Sequence, residues 1–183
     1  MKTRTAVAFL LILTVFALAA DDGPAKQEGS EAGLRTVLTA YYARMASDKP
    51  EDPVNALKSI LPGKEDIEAL FPKHAEKLWP MMEQYVKMMM EHVSDVAKEV
   101  KSHGTVKYVQ AISVRQEDAS GRYREVLAML PEDVPVCRVV TDYEKGSAGS
   151  SSYVYVRGHW LLIRGLEGIP KFLAAPEGGA KKD

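Results

Sequence analysis

The chain has 183 residues, of which 46% are hydrophobic and 27% charged, with a formal net charge of −1. That balance fits one globular domain able to bury its own core, and it argues against wholesale disorder. There is no basic excess to hold a phosphate backbone, and a single cysteine excludes an internal disulfide and a cysteine-built metal site.

Lys2 and Arg4 form a short positive start, followed by Ala6–Ala20 without a charge. The run is too short to span a bilayer comfortably. Ala17-Leu18-Ala19 supplies small residues at the two positions that signal peptidase reads, so residues 1–20 read as a secretory signal peptide. Cleavage would leave a mildly acidic chain that is secreted or periplasmic and no longer attached to a membrane. Residues 21–29 read as a flexible leader, 30–173 as one folded domain and 174–183 as a flexible tail.

Within the domain, Ser30 caps a helix expected over Glu31–Ser47, with Leu34, Leu38, Tyr41 and Met45 on one face. Asp52-Pro53 starts a second helix that stops at Pro62-Gly63, and a third covers Glu65–Phe71. The longest helix is expected from Lys73 to Ser102, kinked or started at Pro80 and ended by Gly104. Met89 falls on its apolar stripe and Met90 about 100° away from it. From there the periodicity changes to two. Val106, Tyr108, Gln110, Ile112 and Val114 read as the apolar face of a first strand. A turn follows at Glu117–Gly121, then strands at Arg122–Leu130 and Val134–Glu144. Lys145–Ser152 reads as a flexible loop, and strands at Tyr153–Arg157 and Trp160–Leu166 are joined around Gly158-His159. The fold class is α+β: N-terminal helices, one of them long, packed on a curved antiparallel sheet of four to five strands.

The order of elements, with the ending Tyr153-Val-Tyr-Val-Arg-Gly-His-Trp160-Leu-Leu-Ile-Arg164, resembles the NTF2-like, or cystatin-like cone, superfamily. The resemblance spans about residues 30 to 170 and departs from the family in the extra helical material between Asp52 and Phe71. It implies an internal pocket, pairing of two copies through the sheet, and either ligand binding or catalysis.

Few residues suggest chemistry. No metalloprotease helix motif, nucleophile elbow, phosphate loop or dinucleotide fingerprint occurs, and no cofactor is expected. Met88 and His92 share a helix face and form a weak soft-metal pair, but methionine more often fills cores. Cys137 lies in a β-branched run and reads as a buried hydrophobe, while His159 reads as a solvated turn residue. Polar residues that interrupt apolar strand faces are the better candidates, because a buried polar group needs a partner or a ligand. Tyr108, Gln110, Arg138 and Tyr155 are the ligand-pocket candidates. The expected function is non-catalytic binding of a small apolar ligand or a protein, with no nucleic-acid partner. The alternative is an isomerase or dehydratase using Asp142 as base beside Tyr108 or Tyr155.

Overall fold

The computed structural model describes residues 27–115, 121 and 123–175, with the side chains of 147–150 left aside. Residues 1–20, and with them the signal peptide, lie outside the described residues. So do 21–26, most of the 117–121 turn and 176–183. Among the described residues, seven α-helices pack against one four-stranded antiparallel sheet, so the chain is an α+β protein. No helix among the described residues is long and apolar enough to cross a membrane.

Helix α1 (Glu31–Met45) starts where the Ser30 hydroxyl accepts a hydrogen bond from the Gly33 amide at 3.0 Å, with Glu31 in the first turn facing the positive end of the helix. Its apolar stripe buries Leu34, Leu38, Tyr41 and Met45. Two short helices follow, α2 (Glu51–Lys58) and α3 (Lys64–Leu70). In α3, Asp66 reaches back to the Gly63 amide at 2.8 Å and so satisfies a donor that the helix cannot.

The long helix expected over 73–102 is two helices. Helix α4 (Ala75–Glu91) and helix α5 (Val93–Ser102) are separated at His92, whose ψ of 16° lies off the helical value. Pro80 sits inside α4 and does not start it. Met89 and Met90 are both half-buried against the same cluster, so the contrast expected between them is not seen, and Met88 points out at 43% exposure.

The sheet is a meander of β1 (Val106–Ser113), β2 (Val136–Tyr143), β3 (Gly146–Val156) and β4 (His159–Leu162), in that order across the sheet. Three expectations fail here for identifiable reasons. The segment expected as a strand at 122–130 contains instead a short helix, α6 (Arg124–Leu127). Tyr123, Val126 and Leu130 are its buried positions, at helical spacing, and Leu, Ala and Met supply good helix formers. The loop expected over 145–152 is mostly strand, because Ser and Gly residues ladder to β2 through backbone groups that need no apolar side chain. The face of β1 is also reversed: Val109 and Ala111 are buried, whereas Tyr108 and Gln110 are exposed. Small residues belong on the face that α1 approaches, and the larger Tyr108 and Gln110 are left outside.

Both faces of the sheet are covered at the β3–β4 side. Val109, Ala111, Cys137, Val139, Tyr153 and Trp160 pack in a cluster with α1, α2 and α5. Val136, Val154, Val156, Leu161 and Ile163 pack on the other side with α3, α4, α6 and the chain end. That chain end is a 3₁₀ turn (Leu166–Gly168) and α7 (Ile169–Ala174), where a continuation of the last strand to Leu166 was expected. Leu78 and Met82 of α4 join the second cluster, while Tyr85, Val86 and Met89 lean on the first.

The chain before α1 is held down. The Gln27 amide donates to the Gly158 carbonyl, the Gln27 side chain accepts from the Trp160 amide, and the Trp160 indole donates to the Glu28 carbonyl at 2.9 Å. Residues 27–29 of the segment expected as a flexible leader are therefore bound to the β3–β4 turn. Gly33 makes this possible. A Cβ there would lie 2.2 Å from the Glu28 carbonyl oxygen. At an ordinary helix position Gly→Ala stabilises by about 0.5–1 kcal/mol. Gly33→Ala should instead destabilise, by about 1–3 kcal/mol as over-packing does, and lower the melting temperature. A rise in the melting temperature of Gly33→Ala would show that the segment before α1 is not held as described.

Candidate functional site

Helix α1, the end of α5 and the edge strand β1 converge on a groove of about 620 Å³. Its walls are built from local rules. Along α1, Thr39, Ala43 and Ala46 recur every three or four residues and so share one face. Val100 comes from α5, and Gly104 (φ 79°) turns the chain so that Thr105–Val109 run along the groove. Ala43 and Ala46 are exposed although apolar, and Tyr108 is 53% exposed. Tyr42, also on α1, meets the Tyr143 ring edge to face, at 5.7 Å between centroids, and shares a hydrogen bond with the Thr141 hydroxyl at 2.9 Å.

The rim is cationic. Arg35 stands 4.0 Å from Glu31, and Lys101 is 2.9 Å from Asp48. The Lys101 ammonium holds the exposed Asp48 carboxyl below its ordinary value. Lys107 has no ion-pair partner among the described residues. An apolar trough with positive charge at its edge accommodates a molecule with an apolar body and an acidic head.

The structure does not gather the four residues singled out from the sequence. Tyr108 lines this groove. Gln110 is exposed on the outer sheet face, opposite Val140 in β2. Arg138 and Asp142 lie half-buried on that same outer face, across from Ile112 and Tyr108. Tyr155 is at the far end of β3, where its hydroxyl donates to the Gln27 carbonyl and its ring lies beside Gly29 and Trp160. Of the two Asp–Tyr pairs considered for catalysis, only Asp142 and Tyr108 are neighbours. Met88 and His92 are exposed on α4 and its cap, and the His92 ring faces Asp95 at 3.6 Å.

Cys137 is 2% exposed, and burial, with the Glu31 charge adding, pushes its thiol up to about 12. It is a thiol and not a thiolate at any ordinary pH, as a buried packing residue should be.

A polar cluster that sequence reading missed ties α3 to the β3–β4 turn. The turn residues are Arg157 (φ 52°) and Gly158 (φ 91°), one place before the pair expected. A positive φ at arginine is unfavourable, and its side chain compensates by pairing with Glu65 and with Asp66 at 3.4 Å. The His159 ring stands 3.4 Å from the same Asp66 oxygen and is mostly covered, so it is not the solvated residue expected. Burial raises the Asp66 pKa, but the hydrogen bonds from His159 and the Gly63 amide and the charges of His159 and Arg157 outweigh it, and the carboxyl ends below its ordinary value. The hydrogen bond to Asp66 in turn raises His159, against the opposing effect of burial. No sequence motif marks this cluster, because Asp66 and His159 are far apart in the chain. The only local signal is Gly63 three places before Asp66, the spacing of a helix cap.

No protein-family model, curated protein or solved structure matches this chain.

The Asp66–His159 pair sets a pH dependence of stability. Asp66 is lowered on folding, so its contribution is present above the ordinary carboxyl value and lost as pH falls through the folded one. His159 is raised, so its contribution is present below the ordinary imidazole value and lost as pH rises through the folded one. The pair is thus at full strength between about pH 4 and pH 6.5. The melting temperature of His159→Gln should fall furthest below that of the native chain in this window, with the gap narrowing on the alkaline side. A gap independent of pH from 4 to 9 would show that no ionised pair forms.

Proposed function

We propose that the chain is an exported, non-catalytic binding protein of the NTF2-like type. Its ligand is a small amphipathic molecule with an acidic head, taken in the groove between α1, α5 and β1. The observation that carries this reading is the exposed Tyr108 ring on the wall of a groove whose other apolar lining includes Tyr42, Ala43, Ala46, Val100 and Val106. Apolar surface left open in a concave site favours an apolar guest. Its size falls within the range of about 300–1,000 Å³ common to small-molecule sites. Arg35, Lys101 and Lys107 give the guest its sign, since an anionic head at the rim gains charge-assisted hydrogen bonds without being dragged into the apolar floor. Neither Asp142 nor any histidine lines the groove, so the base of the isomerase alternative is not among its lining residues. Export rests on Lys2, Arg4 and the apolar run after them, and the NTF2-like reading on helices followed by an antiparallel meander.

Dodecanoate is a suitable probe. It should raise the melting temperature of the chain lacking residues 1–20, with dodecanol binding about tenfold more weakly, the equivalent of about 1.4 kcal/mol for the lost charge contact. Ala43→Trp places an indole in the trough from an exposed helix position, so it should abolish binding while changing the unliganded stability by no more than about 0.5 kcal/mol. Lys107→Glu should weaken dodecanoate and spare dodecanol. Absence of dodecanoate binding, or binding indifferent to Ala43→Trp, would remove the groove as the site.

A further inference from the structure

A second cavity, of about 370 Å³, takes Glu99 of α5 where the groove takes Val100 and Lys101, and is polar in character. Five separate elements supply its walls. Tyr85 and Met89 come from α4, Glu99 from α5, Ser151 and Ser152 from β3, Leu162 and Arg164 from the end of β4 and the turn after it, and Glu167 from the 3₁₀ turn. Gly165 at φ 69° turns the chain directly after Arg164.

Two features of this cavity are unexplained by the fold. The Tyr85 hydroxyl is enclosed and has no hydrogen-bond partner. A phenol withdrawn from water without a partner is costly, and such a group in a native structure calls for a reason. Arg164 has no ion pair or hydrogen bond among the described residues, although its charge is felt at Tyr85. A donor without an acceptor thus lies close to a cation without an anion, while the Glu99 and Glu167 carboxylates line other walls.

We propose that this cavity is a binding site for a small zwitterion of the free amino acid class. The ligand carboxylate would take the Arg164 guanidinium and accept the Tyr85 O–H, the ligand ammonium would take Glu99, and its side chain would rest on Met89 and Leu162. A simple anion would meet Glu99 and Glu167 and gain less, and a simple cation would meet Arg164. Only a ligand carrying both charges satisfies each wall. This site is separate from the α1–α5–β1 groove and does not depend on what that groove binds.

The test is calorimetry and thermal shift with a panel of free L-amino acids on the chain lacking residues 1–20. For L-leucine the two single-charge analogues are leucinamide and 4-methylpentanoate, and corresponding pairs serve for any other member of the panel. At least one free amino acid should bind, with each single-charge analogue weaker by about tenfold or more. Arg164 is exposed, so Arg164→Gln should keep the unliganded melting temperature and abolish binding. Tyr85→Phe should raise the unliganded melting temperature, because it removes an unpaired buried hydroxyl, and also weaken the amino acid about tenfold. The proposal is overturned if no free amino acid binds, if single-charge analogues bind equally well, or if Arg164→Gln binds like the native chain. It is overturned also if Tyr85→Phe lowers the unliganded melting temperature, which would mean that the hydroxyl is already satisfied within the fold.

Discussion

A buried indole must find an acceptor for its N–H, and much of this fold follows from how Trp160 finds one. Its side chain is fully buried in β4, and the acceptor is the Glu28 carbonyl, just before α1 in the chain. The Gln27 side chain takes the Trp160 backbone amide, and the Tyr155 hydroxyl takes the Gln27 carbonyl. Ser30 then caps α1 immediately after this anchored stretch. The start of α1 is thus fixed by the last hairpin of the sheet, and the direction of α1 sets one wall of the groove. Two glycines permit the close approach. Gly29 lies against the Tyr155 ring, and Gly33 against the Glu28 backbone, in both cases nearer than any Cβ would allow.

The sheet has two edges, and each is managed differently. An unpaired strand edge presents backbone groups that invite another chain. At the β4 edge the Ile60 carbonyl accepts from the Leu162 amide, so the connection after α2 closes it locally. At the β1 edge the Glu31 carboxylate accepts from the Ser113 amide at 2.9 Å, and the register shifts between Val106 and Tyr108. A bulge and a lysine at Lys107 both discourage strand addition there. The groove therefore opens along an edge that resists a peptide strand, which favours a small molecule as its occupant.

The helices of the first half were legible because they obey local rules. Ser30 and Glu31 act within a turn of the residues they govern, and Pro62-Gly63 separates α2 from α3, although α2 begins at Glu51 with Pro50 at its cap, before the Asp52-Pro53 start that was expected. The sheet was legible as a class and less so in its detail. Strand β3 extends through a Ser/Gly run whose pairing comes from β2 and not from its own side chains. The two faces of β1 could not be told apart by hydrophobicity. Val106, Tyr108 and Ile112 outweigh Val109 and Ala111 in apolar mass, yet the closeness of α1 selects the small pair. The stretch after Tyr123 alternates weakly, and its helical spacing is clear only once Val126 and Leu130 are seen to share the core. Tyr108 was found from the sequence for a reason that did not hold, since it was assigned to the buried face. It belongs to the groove because it is exposed at an edge. Asp66, His159 and Tyr85 could not have been grouped at all, because their partners are distant in the chain and the signal lies in the packing.

The break at His92 connects these levels. If α4 and α5 were one straight helix, residues 75 to 102 would form a rod of about 40 Å at 1.5 Å per residue, longer than a small domain is wide. Ending α4 at Glu91 lets α5 fold back onto α1 and α2, where Ala97 and Val100 are buried. The same break leaves α4 between the two clusters, with Leu78 and Met82 of its first half packed on one cluster and Tyr85 and Met89 of its second half on the other. A helix that passes from one core to another cannot fill both completely, and side chains at the crossover are where imperfect packing collects. Tyr85 is at that crossover. Its ring is accommodated by the neighbouring hydrophobic residues, but its hydroxyl is carried past them to a place where the protein supplies no acceptor. An apolar side chain of similar size would pack there without that cost. A tyrosine at this position is therefore better explained by what the hydroxyl can meet in the cavity beyond than by the core it passes through.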